Sequence, residues 1–62
     1  MKTFIAYWGE GYTEEVQIFT SEEMIVLYEE DPQCIESINA LNKGEAIDLS
    51  DLSGTHYVLR VQ

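Results

Sequence analysis

Positive charge is nearly missing from this sequence. It contains 3 Lys and Arg residues against 12 Asp and Glu residues, which gives a formal net charge of −9 over 62 residues. The backbones of DNA and RNA and the surfaces of anionic membranes are also negative, so direct binding to any of them is disfavoured. The same charge raises solubility and opposes compaction of the chain. If the chain binds through its charge, we expect a basic partner.

Cysteine and histidine occur once each, as Cys34 and His56. A single Cys excludes an intrachain disulfide, and one Cys with one His cannot form the usual four-ligand zinc site. A lone Cys fits a reducing compartment. No apolar run approaches the ~20 residues that a membrane-spanning helix needs, and no signal-peptide pattern is present. We therefore expect a soluble cytoplasmic protein with a single domain over residues 1–62.

Catalytic motifs are missing as well. Nucleophilic catalysis needs a positioned base, but His56 lies in a strand pattern and is expected to face outward. Cys34 lies on the apolar stripe of a helix, where a small buried hydrophobic residue is the ordinary role. The Gly9-x-Gly11 pair is too short for a phosphate-binding fingerprint, and the P-loop, HExxH and calcium-loop motifs are absent. We predict no enzymatic activity, no cofactor and no metal site.

The first part of the chain predicts a β-hairpin. Residues 2–8 and 13–19 are rich in β-branched and aromatic side chains, and a glycine-containing turn at residues 9–11 joins them. The first strand is apolar on both faces. This is typical of a central strand, or of a strand with one face covered by something outside the monomer. In the second strand, Val16 and Ile18 are the expected core residues.

Two short helices should follow the hairpin. Thr20 and Glu23 match a capping box at the start of the first helix, and Asp31-Pro32 predicts a break and a restart, because Asp is a good N-cap and Pro suits the first helical position. Lys43 should end the second helix and Gly44 should be its C′ residue. The first helix is expected to pack through residues at helical spacing, namely Met24, Leu27 and Tyr28, with Ile25 beside them. The buried stripe of the second helix is expected to contain Cys34, Ile35, Ile38 and Leu41.

The last part of the chain predicts two further strands. Residues 45–49 form a short third strand, residues 50–54 a turn and residues 55–61 the last strand, with Tyr57, Leu59 and Val61 on its core face. The predicted order is β-β-α-α-β-β. We expect an α+β fold, in which both helices pack on one face of a small antiparallel sheet.

Acidic residues are concentrated in residues 21–36, SEEMIVLYEEDPQCIE, which hold half of the 12 acids and no Lys or Arg. Helix residues three or four apart lie about 5–6 Å from each other, so these acids predict a row of negative charges only moderately sparser than the phosphates at ~3.4 Å along a nucleic-acid strand. A face that is merely solvated is the other explanation. On the first helix no Lys lies four residues from a Glu, although such a pair would add about 0.2–0.5 kcal/mol, and this favours a selected negative field. The predicted partner-binding acids are Glu22, Glu29, Glu30, Asp31 and Glu36, extended past the hairpin by Glu10, Glu14 and Glu15.

Aromatic residues gather at the hairpin. Tyr and Trp are favoured anchors in protein interfaces, where their burial supplies energy and charge steers the approach. We expect Trp8 to lie in the core, with a surface anchor as the alternative. Tyr7 and Tyr12 are the predicted surface contacts.

The chain resembles the small acidic inhibitors made by bacteriophages, such as anti-CRISPR proteins and DNA-mimic inhibitors of restriction or DNA-repair enzymes. The resemblance lies in size, in the charge of −9, in a single domain without catalytic motifs and in the acids of SEEMIVLYEEDPQCIE. It is a likeness of class that covers the whole chain and transfers no family residue. It implies an origin in a mobile element and a target that handles nucleic acid.

These observations support two main hypotheses. The first is a non-enzymatic inhibitor that binds a basic nucleic-acid-binding surface of a host defence protein by DNA mimicry. The alternative is a small interaction or assembly module, such as an antitoxin or adaptor, which dimerises through Ile5 and Tyr7 of the first strand or through an unpaired sheet edge. A metal-dependent enzyme that uses clustered acids is a third hypothesis.

Overall fold

Six elements make up the chain, and the computed structural model describes all residues from Met1 to Gln62. They are β1 (Thr3–Glu10), β2 (Thr13–Thr20), α1 (Ser21–Leu27), α2 (Pro32–Asn39), β3 (Ala46–Asp48) and β4 (Thr55–Arg60). The strands form one antiparallel sheet in the order β2-β1-β4-β3. Both helices pack on one face of it, which confirms the predicted α+β fold. Neither helix has the length and apolar character needed to cross a lipid bilayer.

A tight turn at Gly11 and Tyr12 joins β1 and β2. The strands pair from Thr3 opposite Thr20 to Glu10 opposite Thr13, so only two residues remain in the loop. Gly11 has a φ of +60°, and the first position of a two-residue hairpin loop favours glycine because it needs a positive φ. This turn fixes the register of the hairpin, and with it the side chains that share a face.

The core lies between the sheet and the two helices. Phe4 and Ala6 of β1 point into it, and the register places Phe19 of β2 opposite Phe4 and Val58 of β4 opposite Ala6. The Phe4 and Phe19 rings stack with centroids 5.8 Å apart. Each fully buried large side chain contributes about 1.5–3 kcal/mol. Met24 and Ile38 of the helices complete the core, together with Leu41 just beyond the end of α2.

Both helices begin as the sequence predicts. The backbone N–H of Glu23 donates to Thr20 Oγ1 at 3.3 Å, and the backbone N–H of Thr20 donates to Glu23 Oε1 at 3.0 Å, which completes the capping box. Asp31 is the N-cap of α2 and accepts from the backbone N–H of Cys34 at 3.2 Å, with Pro32 at the first helical position. The predicted burial of the α2 stripe is confirmed, since Ile38 is buried and Cys34 and Ile35 are half-buried. Leu41 is buried as well, but it lies beyond the end of the helix.

Both helices end earlier than predicted. α1 ends at Leu27, which is 45% exposed instead of packed on the sheet, and residues 28–30 form a turn. α2 ends at Asn39 with Ala40 as its C-cap, so Lys43 and Gly44 lie outside the helix. Gly44 has a φ of +88° and donates its backbone N–H to the Arg60 carbonyl at 2.8 Å. Its role is therefore to turn the chain into β3, and its assignment as the C′ residue was wrong.

The prediction of core residues was wrong for β2. Val16 and Ile18 point away from the helices and are 61% and 68% exposed, whereas Phe19 is buried. The cause is the hairpin register, which pairs Ile18 with Ile5 and Val16 with Tyr7 on the face that no helix covers.

The prediction was wrong for the last strand too. Val58 is its fully buried residue, while Tyr57 and Leu59 are exposed on the side away from the helices. Val61 lies beyond the end of β4 and is only half-buried. Its backbone N–H donates to the Thr3 carbonyl at 2.9 Å.

Candidate functional site

The positive side chains do not neutralise the acidic surface. Lys2 Nζ donates to the Asn39 carbonyl at 2.7 Å and to Asn39 Oδ1 at 3.2 Å. Arg60 donates to the main-chain oxygens of Leu41 and Gln62 at 2.9 and 2.8 Å. None of these hydrogen bonds reaches an Asp or Glu carboxylate. The negative field of the chain is therefore largely uncompensated from within.

Several acids accept hydrogen bonds from backbone N–H groups close to them in the sequence. Besides the caps Glu23 and Asp31, Glu45 accepts from the backbone N–H of Asn42, Asp48 from that of Ser50 and Asp51 from that of Ser53. Hydrogen bonds from Cys34 lower the pKa of Asp31, and those from Ser50 and Ser53 lower the pKa values of Asp48 and Asp51. The ionised forms of these three aspartates are favoured by the segments that they stabilise, and a partner would have to compete for them.

Apart from Glu14, whose carboxylate interacts with Tyr7, five exposed acids have no intramolecular side-chain hydrogen bond. They are Glu10, Glu22, Glu29, Glu30 and Glu36. Glu22 lies in the first turn of α1 and Glu36 in α2, while Glu29 and Glu30 lie in the turn between the helices. The last two thus project from a turn and not from a helix face, because α1 ends at Leu27. The predicted row of acids is interrupted there.

The other two predicted acids lie on opposite faces of the β2 strand. Glu14 lies on the face away from the helices, and Glu15 lies on the helix side, where it accepts from Gln17 Nε2 at 2.9 Å. Both contribute to an open groove of about 640 Å³ beside Trp8 and Leu27. The groove contains no Lys or Arg, so its field is negative throughout.

The two predicted tyrosine contacts lie on different surfaces. Tyr12 is fully exposed in the hairpin loop. Tyr7 is half-buried in β1 on the face away from the helices, and its hydroxyl would lie 2.7 Å from a Cβ atom placed on Gly9. Its ring therefore lies along the sheet over Gly9. Burial raises the pKa of Tyr7, and the nearby Glu14 carboxylate raises it further.

Trp8, His56 and Tyr28 form an aromatic stack on the helix side of the sheet. The His56 ring lies 4.5 Å from the Trp8 ring and 5.8 Å from the Tyr28 ring, measured between centroids. The prediction that His56 faces outward was wrong, because the β1–β4 register pairs it with Trp8 on the helix side. Trp8 packs against the core, as expected, although it remains half-buried.

The single cysteine is held as a thiol. Cys34 Sγ donates to Asp31 Oδ2 at 3.2 Å. Burial and the adjacent Asp31 carboxylate raise the pKa of Cys34, and a raised pKa lowers the thiolate fraction on which cysteine reactivity depends. The arrangement is therefore that of a structural thiol beside a helix cap.

The surface that sequence reasoning largely missed is the sheet face without helices. We call it the open face. Ile5 and Tyr7 of β1 lie at its centre, and it also carries the residues wrongly assigned to the core, namely Val16, Ile18, Tyr57 and Leu59. The sequence feature that indicated the open face was the first strand, which is apolar on both faces.

Comparison with protein-family models, with curated proteins and with solved structures gives no match. What the surfaces of this chain can bind has to be inferred from their own residues.

Proposed function

We propose that this chain is a non-enzymatic inhibitor that acts in the cytoplasm of a bacterial host cell. It binds a basic, nucleic-acid-binding surface of a host defence protein and occupies that surface in place of DNA or RNA. One observation carries the proposal. Five exposed carboxylates have no intramolecular hydrogen bond, while the hydrogen bonds of Lys2 and Arg60 go to uncharged groups.

A groove that binds nucleic acid presents Lys and Arg side chains to phosphates. Glu29 and Glu30 project together from the turn between the helices, with Glu22 on one helix and Glu36 on the other. Carboxylates at these positions lose no internal partner when they enter such a groove. Complementary charge speeds association and excludes acidic competitors. The exposed Tyr12 ring would add apolar contact, which is the source of much binding energy in interfaces.

Capture experiments with a nucleic-acid competitor test the proposal. The chain is immobilised, and proteins from a bacterial lysate are bound at low salt and then challenged with duplex DNA or with high salt. We expect the captured proteins to be nucleic-acid-binding proteins that both challenges release, because they share one basic surface. Captured proteins that neither duplex DNA nor salt displaces would rule out mimicry.

Charge reversal then locates the binding residues. In Glu30→Lys, we expect the affinity for a captured partner to fall about tenfold or more, because a like charge enters the basic groove. Glu10→Lys makes the same change of charge at an exposed acid without a hydrogen bond that lies in the predicted extension of the row, outside residues 21–36. We expect a smaller loss there, and equal losses in both variants would show that the contact does not centre on residues 21–36.

A second candidate function is an assembly module, such as an antitoxin or adaptor. The observation that favours it is the position of Ile5 and Tyr7 on the sheet face that no helix covers. Under this proposal the apolar contacts specify the partner and the acids only keep the chain soluble. Salt discriminates the two candidates, because an apolar complex survives high salt and a charge-driven one does not.

A further inference from the structure

The open face contains a continuous apolar band across the sheet. Antiparallel pairing aligns one row of side chains across all four strands, which consists of Ile18, Ile5, Leu59 and Ala46. The next row toward the hairpin turn consists of Val16, Tyr7, Tyr57 and Asp48. Seven of these eight residues are apolar or aromatic, and the one carboxylate lies at the edge.

Several neighbouring residues of this band are exposed together. On the edge strand, Val16 is 61% and Ile18 is 68% exposed, and Tyr57 on the other side of β1 is 45% exposed. Isolated apolar residues are common on protein surfaces, but a contiguous band on one sheet face is typical of an interface. A sheet that is apolar on both faces normally has both faces covered.

The Tyr7 side chain lies along the sheet at the centre of the open face. Its ring lies over Gly9, which has no side chain to lift it, and it packs beside Tyr57 with ring centroids 6.4 Å apart. An aromatic ring that covers a glycine in this way fills the gap that the missing side chain leaves in the sheet. Two apolar sheet faces pack against each other at a spacing of about 10 Å.

Negative charge is nearly absent from the open face. Of the 12 acids, only Glu14 and Asp48 have strand positions on it, and they lie on the two edge strands β2 and β3. The other ten lie on the helices, in connecting segments or on the helix side of the strands. A basic partner would therefore find little charge to recognise here. A second copy of the same face would bring only these two carboxylates per copy toward the contact, with Glu14 beside Tyr7.

The size of the chain limits the contact to a weak dimer. The chain spans 33 × 22 × 16 Å between Cα atoms, so a rectangle of 33 × 22 Å, about 700 Å², bounds any one face. The open face lies within that bound and below the ~800 Å² per partner of a standard interface, which fits association at high concentration.

We propose that the open face is a homodimer interface. Two copies pack these faces against each other around a two-fold axis, so that Ile5 and Tyr7 of each copy meet the same band of the other. The product has four layers, helix-sheet-sheet-helix, with the helices and ten acids of each copy on the outside. This inference does not depend on the proposed target, because the acids of residues 21–36 remain accessible in the dimer.

The charge of the chain gives the dimer a distinctive dependence on salt. Two copies of charge −9 repel each other, and this repulsion is screened over about 8 Å at physiological ionic strength. Added salt should therefore strengthen the dimer, whereas it should weaken any complex with a basic target. Because salt acts in opposite directions on the two complexes, its effect can reject the dimer without rejecting the proposed function, and the reverse.

Sedimentation equilibrium from micromolar to millimolar concentration tests the inference at low and at high salt. We expect the apparent mass to rise from 7.1 kDa toward twice that value, at lower concentration when salt is added. In Ile18→Lys, dimerisation should weaken about 100-fold, because an exposed apolar side chain is lost from both copies at the interface. Val16→Lys, at the adjacent position on the open face, should act in the same direction.

Val26→Lys is the matched control. Val26 is also 68% exposed, but it lies on α1 on the helix side of the sheet, across the β2 edge from Ile18, and its replacement makes the same change of charge. We expect it to dimerise as the wild type does. Circular dichroism should show that all three variants fold, since none of the replaced side chains belongs to the core.

Three results would overturn the inference. One is a wild-type chain that remains monomeric at millimolar concentration in high salt. Another is an Ile18→Lys variant that is folded and dimerises like the wild type. The third is a dimer that Val26→Lys disrupts and Ile18→Lys does not, which would place the contact along the helix side of the β2 edge.

Discussion

The hydroxyl of Tyr28, at the end of α1, lies 2.7 Å from Nε2 of His56 in β4. On the other side of the ring, His56 Nδ1 lies 3.0 Å from the Tyr7 carbonyl oxygen. A carbonyl only accepts, so Nδ1 donates to it, and in the neutral ring Nε2 then accepts from the Tyr28 hydroxyl. Both nitrogens of a half-buried imidazole are satisfied by this arrangement, which joins the helix layer to the two central strands.

Removal of the Tyr28 hydroxyl should destabilise the fold. In Tyr28→Phe, His56 Nε2 remains half-buried without its partner, and we expect the free energy of unfolding to fall by about 1 kcal/mol. Urea denaturation measures the change. Tyr12→Phe is the control, because the Tyr12 side chain is fully exposed and its replacement should leave the midpoint unchanged. Equal midpoints for the two variants would contradict a stabilising role for the Tyr28–His56 hydrogen bond.

Alkaline pH should weaken the fold through the same tyrosine. Burial raises the pKa of Tyr28 to about 12, with a smaller contribution from Cys34, whereas an unfolded Tyr titrates near pH ~10. Between these values the unfolded chain has released its proton and the folded chain has not, so stability is complete below about pH 10 and is lost as pH rises toward 12. Urea midpoints on both sides of pH ~10 test this. Tyr28→Phe should lose less stability than the wild type over that interval, and an identical loss would contradict the assignment to Tyr28.

Strong acid should weaken the fold through three aspartates. Hydrogen bonds from Cys34, Ser50 and Ser53 lower the pKa values of Asp31, Asp48 and Asp51 from their ordinary value of 3.8. Their contribution to stability is complete above about pH 3.8 and is lost as pH falls through the lowered values.

We therefore expect the melting temperature to fall as pH drops below about 3.8. High salt should leave this fall in place, because it depends on local hydrogen bonds and not on long-range charge. A melting temperature that stays constant below that pH would contradict this prediction.

A side chain at Gly54 should be costly. A Cβ atom at this position would lie 2.6 Å from the Gly9 carbonyl oxygen, and a backbone atom in a paired strand cannot move aside as a flexible side chain can. In Gly54→Ala, we expect a loss of about 1–3 kcal/mol, as for other overpacked sites. Leu52→Ala is the control in the same turn, since Leu52 is fully exposed. Calorimetric melting of both variants measures the effect, and a Gly54→Ala variant as stable as Leu52→Ala would show that the turn adapts freely.

Local signals in the sequence were sufficient for the elements and for their starts. The capping box at Thr20 and Glu23 and the Asp31-Pro32 restart depend on residues three positions apart or fewer, so they could be predicted without tertiary information. The ends of the helices could not be predicted in the same way. No glycine follows Leu27 or Asn39 directly, and tertiary packing decides where the last turn stops.

Which face of β2 and of β4 points toward the core could not be predicted from either strand alone. Both faces of β2 and β4 contain apolar residues, so alternation with a period of two does not distinguish Val16 and Ile18 from Phe19. The register of the hairpin determines which of these three residues face the core. A two-residue loop pairs Phe19 with Phe4, and Phe4 shares its face with Trp8, so a core that contains Trp8 also contains Phe19. The open face could be predicted only after the hairpin register and the position of Trp8 in the core had been considered together.

The position of β1 between β2 and β4 determines the order in which the strand pairings can form. Its pairing with β2 is local, and a hairpin of this kind forms in about 1–10 μs. Its pairing with β4 brings Phe4 opposite Arg60, near the other end of the chain, and the entropy of closing so long a loop is lost before any contact forms. Until that pairing is made, β1 keeps an unpaired edge and the core lacks Val58. The folding rate should therefore be limited by the meeting of the first and last strands, and helix formation should precede it.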